Sequence, residues 1–279
     1  MEFRFSGKSG LQLPLVSLGL WHNFGSEDPF DVARAMLLHA WDRGVTHFDI
    51  ANNYGPMPGT AEMTFGRVLR EDLAAHRDEM IISSKAGYLM WDGPYGNGGS
   101  RKYLISSCDQ SLKRTGLEYF DIFYSHRYDP NTPIEETMQA LVDIVRSGKA
   151  LYAGISNYPA DKQQECYDYL RAAHVPCVIG QYKASILCPE TLQENLPVAR
   201  DNGSGFICFS PLAQGLLTNR YLNGIPAGSR ASKNVFLRPE QVTNDVVAMA
   251  QRLGAIAEQR GQTLAQMAIA WLLAKDVTS

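Results

Sequence analysis

Long apolar runs are missing from this chain: no stretch approaches the roughly 18 consecutive apolar residues that a membrane-spanning helix needs. The opening Met1-Glu2-Phe3-Arg4-Phe5 lacks the basic region and apolar run of a secretory signal. Cysteine is sparse. The five (Cys108, Cys166, Cys177, Cys188 and Cys208) are odd in number, and no two stand in C-x-x-C spacing. Neither a disulfide framework nor a zinc site is expected, and a reducing cytoplasm is the fitting compartment. A charge excess is missing too. Lys and Arg number 26 against 29 Asp and Glu, a net charge of −3. Without a basic surplus to displace counterions, nucleic acid is not the expected partner. No G-x-G-x-x-G follows a candidate strand, which argues against a Rossmann domain as the route to a dinucleotide.

What remains is ordinary for a globular protein. Hydrophobic residues make up 45% of 279 positions, enough to bury a substantial core. Short apolar runs read as strands at Val16–Leu20, His47–Ile50, Met80–Lys85, Phe120–His126, Ala150–Ser156, Val178–Gln181 and Phe206–Ser210. They recur every roughly 25 to 40 residues, a βα rhythm. Between them the spacing predicts helices at Phe30–Asp42, Arg101–Thr115, Ala160–Ala173, Glu190–Asn202, Asn244–Arg260 and Thr263–Ala274. The first of these sets Val32, Ala35, Met36, His39 and Ala40 on one face. A further helix opens with Thr132 as N-cap and Pro133 at the first helical position, and stops at Gly148. The pattern predicts an α/β protein, a (β/α)8 barrel more than an open doubly wound sheet. No linker divides the chain, so residues 1–279 are expected to form a single barrel domain. The eighth strand would begin after Ser279, so the expected barrel is C-terminally incomplete unless another segment closes its seam.

In a parallel barrel the active site lies at the C-terminal ends of the strands. Six runs in series end in polar residues: Asp49, Lys85, His126, Ser156-Asn157, Gln181 and Ser210. A lysine inside a barrel needs a carboxylate, and Asp49 on the neighbouring strand is the natural partner. His126 can move a proton or hold an oxygen. Metal ligation is disfavoured, since no other His or Cys falls at a compatible strand end. Tyr54 follows Asp49 by five residues. A phenol of pKa near ~10 is a poor acid at neutral pH, and a nearby ammonium is expected to lower it. Together Asp49, Tyr54, Lys85 and His126 suit protonation of a carbonyl oxygen while hydride reaches its carbon. Taken singly, each also reads as structural: an Asx turn with a packed tyrosine, a lysine reaching for solvent, a histidine satisfied by backbone.

In that order the four residues resemble the catalytic tetrad of the aldo-keto reductases. Supporting strings are Phe48-Asp49-Ile50-Ala51-Asn52-Asn53-Tyr54-Gly55, Lys85-Ala86-Gly87-Tyr88, the segment from Gly93 to Lys102, Tyr124-Ser125-His126-Arg127, and the segment from Ser210 to Leu217. The likeness covers essentially the whole chain. It is closest to the branch holding bacterial L-glyceraldehyde 3-phosphate reductases and potassium-channel β subunits. The resemblance implies NADPH-dependent reduction of small aldehydes such as methylglyoxal or glyceraldehyde 3-phosphate, with Tyr54 as general acid. It implies that Ser156, Asn157 and Gln181 hold the nicotinamide carboxamide. Ser210, Leu212, Gly215 and Arg220 would line the pyrophosphate path, and Arg230 would close over the cofactor. Trp21 would wall the site beside both cofactor and substrate, with Tyr88 and Trp91 lining the substrate pocket. Arg127 or Arg101 would supply a cation for a phosphorylated substrate. It also implies a homo-oligomer, a tetramer or octamer, with no metal and no membrane partner.

Two departures bear on this. The family's nicotinamide-stacking tyrosine, three residues after the glutamine, is here Ala184, with Tyr182 one step out of register. The elements that grip the adenosine 2′-phosphate in the family would begin after Ser279. The alternatives are therefore a non-catalytic, cofactor-binding regulatory subunit and a truncated reductase of impaired activity.

Overall fold

The computed structural model describes residues 1–279, which divide into two compact units. Unit 1 comprises Met1–Gln181, Glu194–Ile207 and Thr278–Ser279, and unit 2 comprises Tyr182–Gln193 and Cys208–Val277.

Unit 1 holds a seven-stranded parallel sheet, save for the last two residues of its final two strands. The strands are β3 (Leu18–Gly19), β4 (His47–Asp49), β5 (Ile81–Ala86), β6 (Phe120–Ser125), β7 (Ala150–Ser156), β8 (Cys177–Lys183) and β9 (Gly205–Phe209), hydrogen-bonded in chain order. They form a nearly closed barrel of the (β/α)8 type, and all seven correspond to runs legible in the sequence. Helices α1 (Phe30–Asp42), α2 (Thr60–Val68), α3 (Arg101–Thr115), α4 (Ile134–Arg146), α5 (Ala160–Ala172) and α6 (Glu190–Asp201) alternate with the strands.

An antiparallel hairpin, β1 (Phe3–Phe5) with β2 (Gln12–Pro14), precedes the sheet. The sequence reading missed it, because each strand is only three residues long and offers too little alternation to register. Its Leu11 and Leu13 join Ile122, Tyr124, Val178, Ile179 and Ile207 in one buried cluster. Ser6 fixes the hairpin by donating its hydroxyl to the Val178 carbonyl at 2.8 Å.

The seam between β9 and β3 is not bare. Thr278 donates its amide to the Phe206 carbonyl at 2.7 Å, and the Ser279 hydroxyl lies 2.7 Å from that of Ser17, just before β3. Thr278 and Ser279 thus lie at the seam, at the point where an eighth strand is expected to begin. Two expectations change. Helix α1 buries Ala33 and Leu37, while Val32 is exposed, so its inward face is turned from the one expected. Helix α4 is capped at Pro133, not Thr132, because the Thr132 hydroxyl donates instead to Asp129 at 2.8 Å.

The strand period sorts β5 into two faces. Ser83 and Lys85 point to the barrel interior, and Ser84 points to the helical layer. There Ser84 donates to the buried Glu62 of α2 at 2.7 Å, and Arg114 of α3 pairs with the same carboxylate at 2.6 Å. Helices α2 and α3 meet closely at Gly66, where a Cβ would lie 2.4 Å from the Thr115 carbonyl oxygen. Alanine at Gly66 would gain helix propensity of about 1 kcal/mol but collide with backbone that cannot move aside, at about 1–3 kcal/mol. Gly66→Ala is therefore expected to lower the melting temperature by a few degrees. An unchanged or raised value in thermal denaturation would contradict the close approach.

Unit 2 is built on α8 (Asn244–Gln259) and α9 (Leu264–Leu273), which follow the single turn α7 (Arg230–Lys233). Ala250, Ala257, Leu264 and Met267 form one buried cluster, and Tyr221, Ala231 and Leu237 another. Helix α9 begins with a reciprocal capping box between Thr263 and Gln266. No helix of the chain is long and apolar enough to cross a membrane.

Candidate active site

Asp49 ends β4 and lies level with Ser83 in the neighbouring β5. Two residues further on, on the same face, is Lys85, fully buried. Its ammonium donates to Asp49 Oδ2 at 2.7 Å, to the Ile50 carbonyl at 2.7 Å and to the Tyr54 hydroxyl at 3.4 Å. The charge also lies 4.8 Å from the Tyr54 ring centre. Asp49 accepts from Ser83 Oγ at 2.6 Å on its other oxygen, and from Gln181 Nε2 at 3.1 Å. The expected Asp–Lys pair thus forms, with two extra donors that the sequence reading did not assign to it. The signal for Ser83 was present, since Ser83 and Lys85 repeat on one face of a strand.

Burial opposes ionisation of Asp49, but Lys85, His47 and the bonds from Lys85 and Ser83 outweigh it and hold the carboxyl below its ordinary range. Burial draws Lys85 below the usual lysine value against the pull of Asp49. Three oxygens around Nζ are what a charged ammonium requires. Tyr54 behaves otherwise than expected. Burial, with Asp49 and Tyr88 adding to it, raises its phenol well above the usual value. The neighbouring ammonium, paired with Asp49, does not outweigh this burial. Tyr54 therefore rests as the protonated phenol.

His126 follows β6 and packs edge-on to Tyr54, with ring centres 5.8 Å apart. Burial, then Lys85 and Arg127, depresses its pKa far below the ordinary value, so the imidazole is neutral. Its Nδ1 is buried without a hydrogen-bond partner. Tyr88 packs edge-on to His126 at 4.7 Å, and Trp21 lies 6.4 Å from Tyr54. Trp91 packs instead on Tyr103, whose hydroxyl donates to the Tyr88 carbonyl, so Trp91 reaches this group through Tyr103. The Arg127 guanidinium stands 5.3 Å from the Tyr88 ring centre, held by the Gly87 carbonyl and Asn97 Oδ1. Arg101 is tied to Asp143 on α4.

The candidate carboxamide residues are also gathered. Asn157, at φ 56°, donates its side-chain amide to the His126 carbonyl at 3.1 Å and to Ser156 Oγ at 3.0 Å. Both amide hydrogens are thereby used, which leaves Oδ1 to accept from a carboxamide. Ser156 turns its hydroxyl to the Gln181 carbonyl, and Gln181 commits its amide to Asp49. Ala184 is buried, and Tyr182 lies on the face of β8 opposite Gln181, so neither supplies the stacking ring of the family pattern.

Unit 2 presents the segment from Ser210 to Gly215. Ser210, Ala213 and Gln214 all have left-handed backbones, with φ of 58°, 47° and 60°, and Gly215 follows at 103°. Such strain clusters where backbone is shaped around a ligand. Gln214 Oε1 is buried without a partner in the same turn, a group sequence reasoning missed. Arg220 and Arg230 make no ion pair with any carboxylate, yet the Arg220 charge acts on Arg230. Desolvation and that charge draw Arg230 below its ordinary value, against the pull of Tyr221. Guanidinium groups without a carboxylate partner suit a phosphate. Within unit 2 these features suit phosphate groups, and within unit 1 those around Asn157 suit a carboxamide.

Comparison with known proteins adds three findings. The model of the Aldo/keto reductase family matches residues 15–279. The chain is 55% identical over 285 residues to L-glyceraldehyde 3-phosphate reductase of Escherichia coli (strain K12), covering all of this chain and 82% of that protein. It is 36% identical over 278 residues to a protein of Arabidopsis thaliana named "Probable voltage-gated potassium channel subunit beta", covering 97% of this chain and 83% of that protein.

Proposed function

The chain belongs to the aldo/keto reductase family, and from that premise we propose that it reduces small aldehydes to primary alcohols with NADPH. The observation that carries this reading is the buried contact of Lys85 with both Asp49 and the Tyr54 hydroxyl, beside a neutral His126. Bound NADPH supplies the hydride that adds to the carbonyl carbon. As the C=O π pair moves onto oxygen, Tyr54 gives that oxygen its phenolic proton. An alkoxide is a stronger base than a phenolate, and the burial that raises the phenol's pKa disfavours the alkoxide as well, so the proton moves to the substrate oxygen. Lys85 stabilises the phenolate left behind, and Asp49 keeps Lys85 charged and aimed. His126, neutral, donates a hydrogen bond that orients the carbonyl oxygen. Asn157, with Ser156 and Gln181 behind it, holds the carboxamide, and Ser210, Leu212, Gly215, Arg220 and Arg230 take the phosphates.

L-Glyceraldehyde 3-phosphate is the substrate we assign, supported by the 55% identity to its reductase and by Arg127 beside Tyr88, where a phosphate could pair with it. The test is oxidation of NADPH, followed at its absorbance, with L-glyceraldehyde 3-phosphate, methylglyoxal or no aldehyde. Faster turnover of the phosphorylated substrate, selectively lost in Arg127→Met, is the expected result. Equal loss for both aldehydes in that variant would remove the phosphate assignment. No turnover with either, from a protein that melts cooperatively, would favour the cofactor-binding regulatory reading.

A further inference from the structure

Asp49 and Ser83 are not the end of the buried hydrogen-bond chain. His47, two residues before Asp49 on the same face of β4, is fully buried. Its Nε2 lies 3.1 Å from Ser83 Oγ and its Nδ1 lies 2.8 Å from Ser17 Oγ. The direction of each bond follows from donor arithmetic. Ionised Asp49 can only accept, so the single hydroxyl proton of Ser83 goes to Asp49 Oδ1 at 2.6 Å. Ser83 must then accept from His47, which puts the ring proton on Nε2. Nδ1 of a neutral ring is left as acceptor, and the Ser17 hydroxyl donates to it.

Resting on the reductase reading above, we propose that His47 is a positioning residue: its Nε2–H, through Ser83, fixes the carboxylate of Asp49 so that Lys85 meets Tyr54. The chain runs one way, from Ser279 through Ser17, His47 and Ser83 to Asp49, and closes on the ammonium. Asp49 Oδ1 is held by Ser83 alone, while Oδ2 carries Lys85 and Gln181. The Ser83 bond therefore sets the rotation of the carboxylate about its Cβ–Cγ bond. A ring with a bare nitrogen at Nε2 would compete for the Ser83 proton and release that rotation. Burial, with Asp49 opposing and Lys85 assisting, lowers the His47 pKa to about 4, which keeps the ring neutral and the polarity of the chain intact. No member of this upstream chain touches a reacting atom, and a search confined to strand ends passes it by.

The test compares His47→Gln, which keeps an N–H donor near Nε2, with His47→Met, which fills the volume without one. The Met variant is expected to lose up to about tenfold in kcat, the upper end of the fold-change for one neutral hydrogen bond, with KM little changed, and the Gln variant to recover most of it. Two spectra of the whole protein stand apart from turnover. The ring 15N correlation of His47, assigned by its absence in His47→Gln, is expected to show the neutral Nε2–H tautomer from pH 7 down to pH 5. The Tyr54 13Cζ resonance is expected to move in His47→Met and to return in His47→Gln. An Nδ1–H tautomer, titration near the ordinary histidine value, an unmoved Tyr54 resonance, or equal loss in both variants would overturn the proposal. Should the unsubstituted protein show no aldehyde turnover, the reductase reading falls, and the tautomer and the Tyr54 resonance still decide whether His47 sets this geometry. Should His47→Met fail to fold, the tautomer in the unsubstituted protein and the kcat of Ser83→Ala decide it.

Discussion

Replacing Tyr54 with phenylalanine is expected to reduce kcat for aldehyde reduction by roughly 10²–10⁴-fold, the range for loss of a positioned proton donor. The substitution removes one oxygen and leaves the ring between Trp21 and His126, whose centres lie 6.4 and 5.8 Å away. Packing is thus retained, and so are the bonds from Lys85 to Asp49 and Ile50. Affinity for NADPH, read from quenching of tryptophan fluorescence, should be unchanged, since the phenol is not among the groups assigned to the dinucleotide. A fall in kcat without a change in cofactor affinity would isolate the hydroxyl as the proton source. Retention of most of the rate would mean that another group protonates the carbonyl oxygen. His126 would be the nearest alternative, and its depressed pKa makes it a poor acid because it holds no spare proton at neutral pH.

The phenol also shows how far the sequence could be read. The grouping of Asp49, Tyr54, Lys85 and His126 was legible because each stands at or just beyond the end of an apolar run, and a parallel barrel brings such ends together. The sign of the Tyr54 pKa shift was not. It depends on how completely Asp49 cancels the ammonium and on how dry the pocket is, and neither is encoded locally. The strands were legible for the same reason as the site: seven apolar runs, regularly spaced. The inward face of α1 was not, since Ala33 and Leu37 compete with the more apolar-looking row through Val32 and Met36, and tertiary packing decides between them. His47 escaped because it opens its strand, where attention falls on what closes it. Its period-2 relation to Asp49, matched by Ser83 and Lys85 next door, was the available signal. The unpaired oxygen of Gln214 and the left-handed run around it had none, because backbone conformation at non-glycine positions leaves little trace in residue type.

The Asp49–Lys85 pair is expected to give the largest stability effects, and they should not add. Lys85→Met leaves a buried carboxylate with only Ser83 and Gln181 as donors, and Asp49→Asn leaves a buried ammonium facing a neutral amide. Each single variant is expected to lose about 3–5 kcal/mol, the cost of an uncompensated buried charge. The double variant contains neither charge, so its loss should be well below the sum and smaller than that of at least one single variant. Urea denaturation of the four proteins measures this directly, and additive losses would show that the charges are solvated independently. The sign of the pH dependence follows from Asp49. Its carboxyl is held below the ordinary range in the folded state, so its contribution is present above the unfolded value of about 3.9 and is lost as pH falls through the folded value. That acid-side loss should vanish in the double variant. Activity should not return with stability. Methionine at position 85 can fill the interior but cannot stabilise the phenolate that Tyr54 becomes on giving up its proton, so a stable double variant without turnover would separate what the charged pair does for the fold from what it does for the reaction.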